Sequence, residues 1–450
     1  MAGGLMQLVA YGAQDVYLTG QPKVTFFQAV YKRHTNFAME NIQQTVNGTP
    51  SNSGRVSVTI ARNGDLVGNM YVRLQPTQAT TSNLTSTNAN VDMSWVAERA
   101  IAGIELTIGG QRIDKHYQNW FRLYAEVFLG EADKINYGKL TSSPVPFADS
   151  TNVNSVYLPL IFFFNRNPGL YLPLIALQYH EVRMDFDLTA NFTNYFGSSA
   201  QVFEVWANYV YLDTEERRRF AQKGHEYLIE QVQHTGGDSI TASGNPGAQT
   251  IRLSFNHPVK ELIWCYQNTT STATNSMWNF STSCANVNVT CQTSPQVLGS
   301  TLPHHAGCPH LYANVGAYAG QSVTTNVFWI EESSSNVTAG SGVETGPLYN
   351  FKVVLNGQDR FKEQTGKYFN QYQPYVYHTG TPYPGIYVYS FALQPEEHQP
   401  TGTCNFSRID NAQVAINMKS GYTTPLQKMF AINYNILRIQ SGMGGLAFSN

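Results

Sequence analysis

LTIGGQRIDKHYQNWFRLYAEVF, residues 106–128, decides how the chain is read, because a weaker copy of it returns in the second half. Ile104, Leu106 and Ile108 alternate with their neighbours as in a strand, and the run ends at Gly109-Gly110-Gln111-Arg112. Asp114 then reads as the cap of a helix, in which Tyr117, Trp120, Phe121, Tyr124 and Phe128 recur at helical spacing. In the second half, Phe351, Val353 and Leu355 lead into Asn356-Gly357-Gln358-Asp359, and Tyr368, Phe369 and Tyr372 follow at helical spacing before Pro374. Gly110-Gln111 and Gly357-Gln358 share one offset, and the aromatic pairs Trp120-Phe121 and Tyr368-Phe369 follow with a single inserted residue. The simplest reading is one fold used twice, with the aromatic helix packed over one end of each copy.

Working outward, a chain of 450 residues exceeds one comfortable core, and its length suits two or three domains. Hydrophobic residues make up 42%, with 27 Tyr and 24 Phe, so enough area can be buried to offset chain entropy and disorder is not expected. Charged residues are only 13%, against about 25% in ordinary globular proteins, which predicts a neutral polar surface. A formal charge of −2 excludes general electrostatic attraction to nucleic acid or an anionic membrane, so no direct nucleic-acid partner is expected. The strongest apolar run, Leu158 to Phe164, carries Pro159 and falls far short of the roughly 18 residues of a membrane span. Neither a transmembrane segment nor a secretory signal is read. Cys265, Cys284, Cys291, Cys308 and Cys404 are an odd number, expected as reduced thiols of a protein made and assembled in cytosol.

Residues 1–25 read as a glycine-punctuated arm. A strand candidate from Phe26 carries Lys32, Arg33 and His34, a solvated edge or a contact beneath the arm. Val56, Val58 and Ile60 alternate, and Tyr71 to Gln75 is expected to pair with them. Residues 76–94 read as a long exposed loop. Leu158 to Phe164 and Tyr171 to Leu177 are apolar runs split by the turn Asn165-Arg166-Asn167-Pro168-Gly169. Glu181, Arg183, Asp185 and Asp187 alternate with Val182, Met184, Phe186 and Leu188, one face in the core and one wet. Phe203 to Leu212 closes the first half. Asp213-Thr214-Glu215-Glu216-Arg217-Arg218-Arg219 then supplies a cap, early acids and late bases, and reads as the connecting helix. Ile251, Leu253 and Phe255 restart the plan, a long loop region covers 268–346, and Ala392-Leu393-Gln394 echoes Ala176-Leu177-Gln178. Many strands and few helices make the chain all-β. Two antiparallel sandwiches fit, and for eight strands per half the jelly roll is the natural candidate, although periodicity alone leaves other sandwiches open.

Catalytic machinery is hard to find. Neither a GxSxG elbow nor a GxxxxGK[ST] phosphate loop occurs. His180-Glu181 and His225-Glu226 begin like a zinc-protease motif, but Met184 and Ile229 occupy the place of the second histidine. Asp185 and Asp187 fit a solvent face better than a carboxylate pair. His304, His305, Cys308 and His310, with Cys284 or Cys291, form the one candidate metal cluster; its spacing matches no standard zinc module, and no metal or other cofactor is expected. Cys284 and Cys291 are also the pair to consider for a disulfide under oxidising conditions. Eight Asn-x-Ser/Thr sequons occur, at Asn47, Asn83, Asn191, Asn268, Asn279, Asn288, Asn336 and Asn405, with Asn279, Asn288 and Asn336 on the long loops as candidate glycan acceptors.

Five strings carry a resemblance: LVAYGAQDVYLTGQPKVTFFQAVYKRHTNFA, IGGQRID, NRNPGLYLPLIALQYHEV, YLDTEERRRFAQKGHEYLIEQVQ and NYNILRIQSGMGGLAFSN. With them the chain resembles the major capsid protein family of nucleocytoplasmic large DNA viruses, the iridovirus, phycodnavirus and marseillevirus types. The resemblance spans the chain apart from residues 76–94 and 268–346. It implies two tandem eight-stranded antiparallel jelly rolls, with an arm at 1–25, a first jelly roll at 26–212, a linker at 213–228 and a second jelly roll at 229–450. It further implies a non-enzymatic virion protein that trimerises into pseudo-hexagonal capsomers, tiles an icosahedral shell assembled in host cytoplasm, and meets minor capsid proteins beneath it. The long loops would face outward and the arm inward. Two rivals stand from other classes: a carbohydrate-binding or carbohydrate-active β-sandwich, and a cupin-like enzyme using the histidine cluster.

Overall fold

The computed structural model describes residues 33–75, 95–142, 155–196, 202–240, 249–268, 346–382, 385–419 and 425–448, together with 23–24, 27, 29–30 and 280. Strands β1 (Lys23–Val24) and β2 (Ala29–Val30) form a small hairpin ahead of the first sandwich. That sandwich contains β3 (Phe37–Gln44), β4 (Val46–Asn47), β5 (Arg55–Thr59), β6 (Leu66–Gln75), β7 (Ile101–Ile108), β8 (Gln111–Tyr117), β9 (Val156–Pro159), β10 (Leu172–Pro173), β11 (Val182–Leu188) and β12 (Val202–Leu212). Its helices are α1 (Val96–Ala100), α2 (Gln118–Phe128), α3 (Glu131–Thr141), α4 (Phe163–Arg166) and α5 (Phe192–Phe196). Helix α6 (Thr214–Gln222) leads to the second sandwich, built of β13 (His225–Ser239), β14 (Gln249–Leu253), β15 (Pro258–Asn268), β16 (Leu348–Leu355), β17 (Gln358–Asp359) and β18 (Gln364–Thr365). It is completed by a π-helical turn over Tyr368–Tyr372 running into α7 (Gln373–Tyr377), then β19 (Ile386–Ser390), β20 (Cys404–Asn405), β21 (Ala412–Met418), β22 (Pro425–Gln440) and β23 (Met443–Leu446).

The two halves share one topology. In the first, β3, β12, β6 and β9 lie side by side, facing a sheet of β4-β5-β11-β7-β8. In the second, β13, β22, β15 and β19 lie side by side, facing β14-β21-β16-β17. Every pairing is antiparallel, and the chain crosses repeatedly from one sheet to the other, as between β5 and β6, β6 and β7, β10 and β11, and β11 and β12, which makes each half a jelly roll. Alternation supplies each core. On β11, Val182, Met184, Phe186 and Leu188 turn inward, and on β5 Val56 and Val58 meet them from the adjacent strand. In the second core Trp264 stacks on Phe351 at 4.4 Å, with Phe369 wedged against both.

The opening motif recurs with its geometry intact. Gly109 and Gly110 have φ of +57° and +83°, and Asn356 and Gly357 have +49° and +80°, so both hairpins turn through two left-handed residues in succession. Asn serves in the second copy because its short amide tolerates that conformation. The first copy has a further reason for glycine, since a Cβ on Gly109 would lie 2.3 Å from the His180 ring.

Several local expectations change. Asp114 caps nothing: it is buried within β8, and its carboxylate accepts from the Lys115 and Val232 amides. Tyr71 to Gln75 does not pair with β5, because β6 lies in the opposite sheet between β12 and β9. The apolar run 158–164 is only partly strand: β9 ends at Pro159, which has no N–H to extend a ladder, and Phe163–Arg166 turns as a helix. Of the run 171–177 only Leu172–Pro173 is strand. Asp213 does cap the connecting helix, accepting from the Thr214 amide at 2.8 Å.

Candidate functional site

The long aromatic helix α2 does not sit over an end of its own sandwich. It is wedged between the two. Phe121 enters the first core, while Trp120, Leu123 and Val127 are buried against the outer face of the second sandwich's sheet, on Ile263 and Cys265 of β15, Ile386 and Val388 of β19, and Phe430 and Ile432 of β22. Trp120 meets Phe430 with ring centroids 5.6 Å apart, and Phe430 stacks on His234 at 4.3 Å. The sequence makes this helix because its apolar residues form two stripes, one for each sandwich. That double amphipathicity was visible as an excess of aromatics, but not its second partner.

Backbone contacts close the seam. The Gly380 amide donates to the Val127 carbonyl at 3.2 Å, the Thr379 hydroxyl to the Phe128 carbonyl at 3.2 Å, and the Lys134 ammonium to the Thr381 carbonyl at 2.7 Å. At the other end, the Tyr179 amide donates to the Gly442 carbonyl at 3.0 Å, and Leu177 packs with Ile439 in the first core. The Gln231 amide side chain donates to the Ile113 carbonyl, tying β13 to β8.

Charge inside the seam is paired. His378 is fully buried, with Nε2 at 3.0 Å from Glu261 and Nδ1 at 3.3 Å from Glu396. Burial alone would push its pKa down, but the two carboxylates outweigh that and raise it to about 9. Glu396 is correspondingly held below the ordinary carboxylate range: burial opposes this, and the bonds from His378 and the Thr379 amide prevail. Glu230 of β13 receives Arg166 from the first sandwich at 3.1 Å and Lys260 from the second at 2.5 Å. Burial would raise its pKa, yet Lys260 and Arg166 hold it below the usual range. Within the first half, Arg122 reaches Glu126 at 3.0 Å and Glu98 at 3.5 Å, and Lys134 reaches Glu126 at 3.5 Å, binding α1, α2 and α3 together. Breaking such a buried pair from one side costs about 3–5 kcal/mol, because the remaining charge is left without water.

Of these pairs Arg166–Glu230 joins one sandwich to the other, and the rest brace the elements on either side of the seam. Most of their side chains are buried, while Arg166 and Glu396 keep 28% and 26% of theirs in solvent. The carboxylates weighed from sequence are likewise structural: Asp185 accepts from Ser57 and Arg183, and Asp187 from Arg55. His180 Nδ1 lies 2.9 Å from the Gly444 carbonyl, His225 Nε2 lies 2.8 Å from the Phe220 carbonyl, and Glu226 pairs with Arg438. Cys265 lies in the seam, its thiol pushed up to about 12 by burial. Among the described residues, three or more His, Cys, Asp or Glu side chains do not gather at any point as metal ligands would. Also among them, no helix is long and apolar enough to cross a membrane. Arg33 and His34 are exposed. The cluster His304, His305, Cys308 and His310, the pair Cys284 and Cys291, the sequons Asn83, Asn279, Asn288 and Asn336, Lys32 and most of the arm lie outside the described residues.

Comparison with known proteins is consistent along the whole chain. A family profile described as the major capsid protein N-terminus matches residues 25–213, and one described as large eukaryotic DNA virus major capsid protein matches 216–445. The major capsid protein of Paramecium bursaria Chlorella virus 1 is 43% identical over 485 aligned positions, covering all of both chains. That of Phaeocystis pouchetii virus is 38% identical, again over all of both. Among solved structures, VP54 of PBCV-1, fitted into a reconstruction of the virophage Sputnik, superposes with a TM-score of 0.73 at 39% identity, covering 95% of this chain and all of that one. The Faustovirus major capsid protein, at 12% identity and a TM-score of 0.61 over 93% of each chain, shares the fold.

Proposed function

Because this chain belongs to the major capsid protein family of large eukaryotic DNA viruses, and so builds the virion shell, we propose that its working unit is a homotrimer and that such trimers tile the shell as pseudo-hexagonal capsomers. The observation that carries this is the shared strand order of the two halves. Two like sandwiches in each of three chains place six like units around one axis, an outline that fills a plane. The rigid seam supports the same reading, since a tile transmits lattice contacts only if its two halves keep a fixed relation.

The division that goes with it is an arm at 1–25, a first jelly roll at 26–212, a linker at 213–228 and a second jelly roll at 229–450. The loops at 76–94 and 268–346 face outward, with glycans carried at Asn279, Asn288 and Asn336 if the host supplies them. The arm and the region of Lys32 to His34 face inward, toward minor capsid proteins. Assembly takes place in host cytoplasm, and the chain has no catalytic activity. Three of the tryptophans that a carbohydrate-stacking role would use, Trp95, Trp120 and Trp264, are buried. Light scattering on the purified protein tests the trimer: a species of about three times 50.1 kDa is expected, and a monomer at all concentrations would refute it.

A further inference from the structure

The second core contains three buried polar side chains that its own atoms leave unmatched. Buried side-chain atoms without a hydrogen bond mostly belong to ion pairs such as His378–Glu261 and His116–Asp114, where charge supplies the attraction. Trp264, Tyr266 and Gln427 are different. They carry no charge and are at most 1% exposed, yet the Trp264 Nε1, the Tyr266 hydroxyl and both polar atoms of the Gln427 amide have no partner among the described residues.

The register gathers them. Tyr266 of β15 lies directly opposite Gln427 of β22, and Trp264 stands two residues before Tyr266, so all three point from one sheet into the sandwich. On the other side of Gln427 lies Asp238 of β13, half-buried, which extends the polar row to the edge of the sheet. The rings are held by their neighbours: Trp264 stacks on Phe351 at 4.4 Å and on Tyr387 at 5.7 Å, and Tyr266 meets Tyr387 edge-on at 5.7 Å. The Tyr387 hydroxyl is itself engaged, accepting from the Leu348 amide at 3.0 Å.

The other half of the chain shows that the fold does not require these residues. Trp206-Ala207 of β12 opposite Tyr71-Met70 of β6 matches Phe430-Ala431 of β22 opposite Ile263-Leu262 of β15. In that alignment Trp264, Tyr266 and Gln427 stand where the first sandwich has Val72, Leu74 and Phe203, all of them apolar and buried in its core. The same place is dry in one copy and polar in the other.

We infer that the second core binds ordered water here, one or more molecules that bridge the Gln427 amide to the Tyr266 hydroxyl and accept the Trp264 N–H. The donor set selects the occupant. An indole N–H, a hydroxyl and a carboxamide together offer donors and acceptors, so the ligand must both give and accept hydrogen bonds, as water does with two to four polar partners. An ion would find no countercharge among the three, and an apolar ligand would leave all of them unmatched at the full cost of desolvation. The site belongs to the single chain and does not depend on the trimer.

The test is a map of the wild-type protein at a resolution that shows ordered water. A peak within about 2.7–3.2 Å of the Gln427 amide and the Tyr266 hydroxyl is expected. A map in which these groups bond to one another, in which nothing lies between them, or in which the peak is too large for water would overturn the inference. Urea unfolding gives an energetic reading. Tyr266→Phe and Gln427→Leu each leave the rest of the bridge unmatched and should raise the unfolding equilibrium constant about 5- to 30-fold. The double variant removes both ends and should fall well short of the product of the two effects. Stabilisation by Gln427→Leu, or effects that simply multiply, would show that no water joins the pair.

Discussion

Raising the pH through the range in which His378 loses its proton should loosen the protein at the seam. The ordinary imidazole pKa is 6.5, and in the fold the carboxylates of Glu261 and Glu396 raise that of His378 to about 9. A raised pKa means the folded chain holds a proton that the unfolded chain has released. The stabilisation is therefore complete below pH 6.5, declines as the pH rises, and is gone above about 9. At about 1.4 kcal/mol for each pH unit, the window contains about 3 kcal/mol. His378→Gln removes the cation and leaves Glu261 buried without its partner. At pH 6 it should lower the unfolding free energy by about 3 kcal/mol, and by pH 9.5 the difference from wild type should shrink to under about 1 kcal/mol. The assay is urea unfolding of both proteins at one concentration, from pH 6 to 9.5, with the difference plotted against pH. Subtraction cancels groups that titrate alike in the two chains. Parallel curves for wild type and variant across pH 6.5–9 would refute the assignment of a charged His378 to the seam.

Other perturbations probe the same construction. Trp120→Ala empties the point where α2 meets Phe430 and should cost about 3–5 kcal/mol in chemical unfolding. Gly380→Ala puts a methyl 2.4 Å from the Val127 carbonyl and 2.6 Å from that of Glu126; a loss of about 1–3 kcal/mol is expected, with faster amide exchange at residues 379–381. Asp213→Ala removes the cap of α6 and should cost about 1 kcal/mol, far less than either seam change, since that helix buries no side chain. The thiol of Cys265, pushed up to about 12 and buried, should resist iodoacetamide in the native protein and react fully in urea, as read by peptide mass mapping.

Legibility followed the range of the physics involved. The turns at Gly109-Gly110 and Asn356-Gly357, the alternation on β5, β11, β14 and β21, and the Asp213 cap depend on residues within a few positions, and each is read correctly from spacing. Asp114 was misread because an Asp before an aromatic run looks like a cap, whereas its actual acceptor role is toward Val232, far along the chain. Tyr71 was misassigned because neighbouring strands usually pair, while a jelly roll sends them to opposite sheets. The run 158–177 looked like two strands because apolar content does not say whether a segment is buried as strand or as turn.

The sequence by itself determined that the fold is used twice and that its elements are strands, since these follow from periodicity, turn residues and repetition. Only the tertiary structure decided which surface each buried face would meet. Alternation says that a face is apolar without naming its partner, and the seam joins Val127 to Gly380 and Arg166 to Glu230 across long stretches of chain. Two helices of similar sequence thus have different fates: α2 is covered by the second sandwich, and Tyr372, Tyr375 and Val376 are left facing solvent.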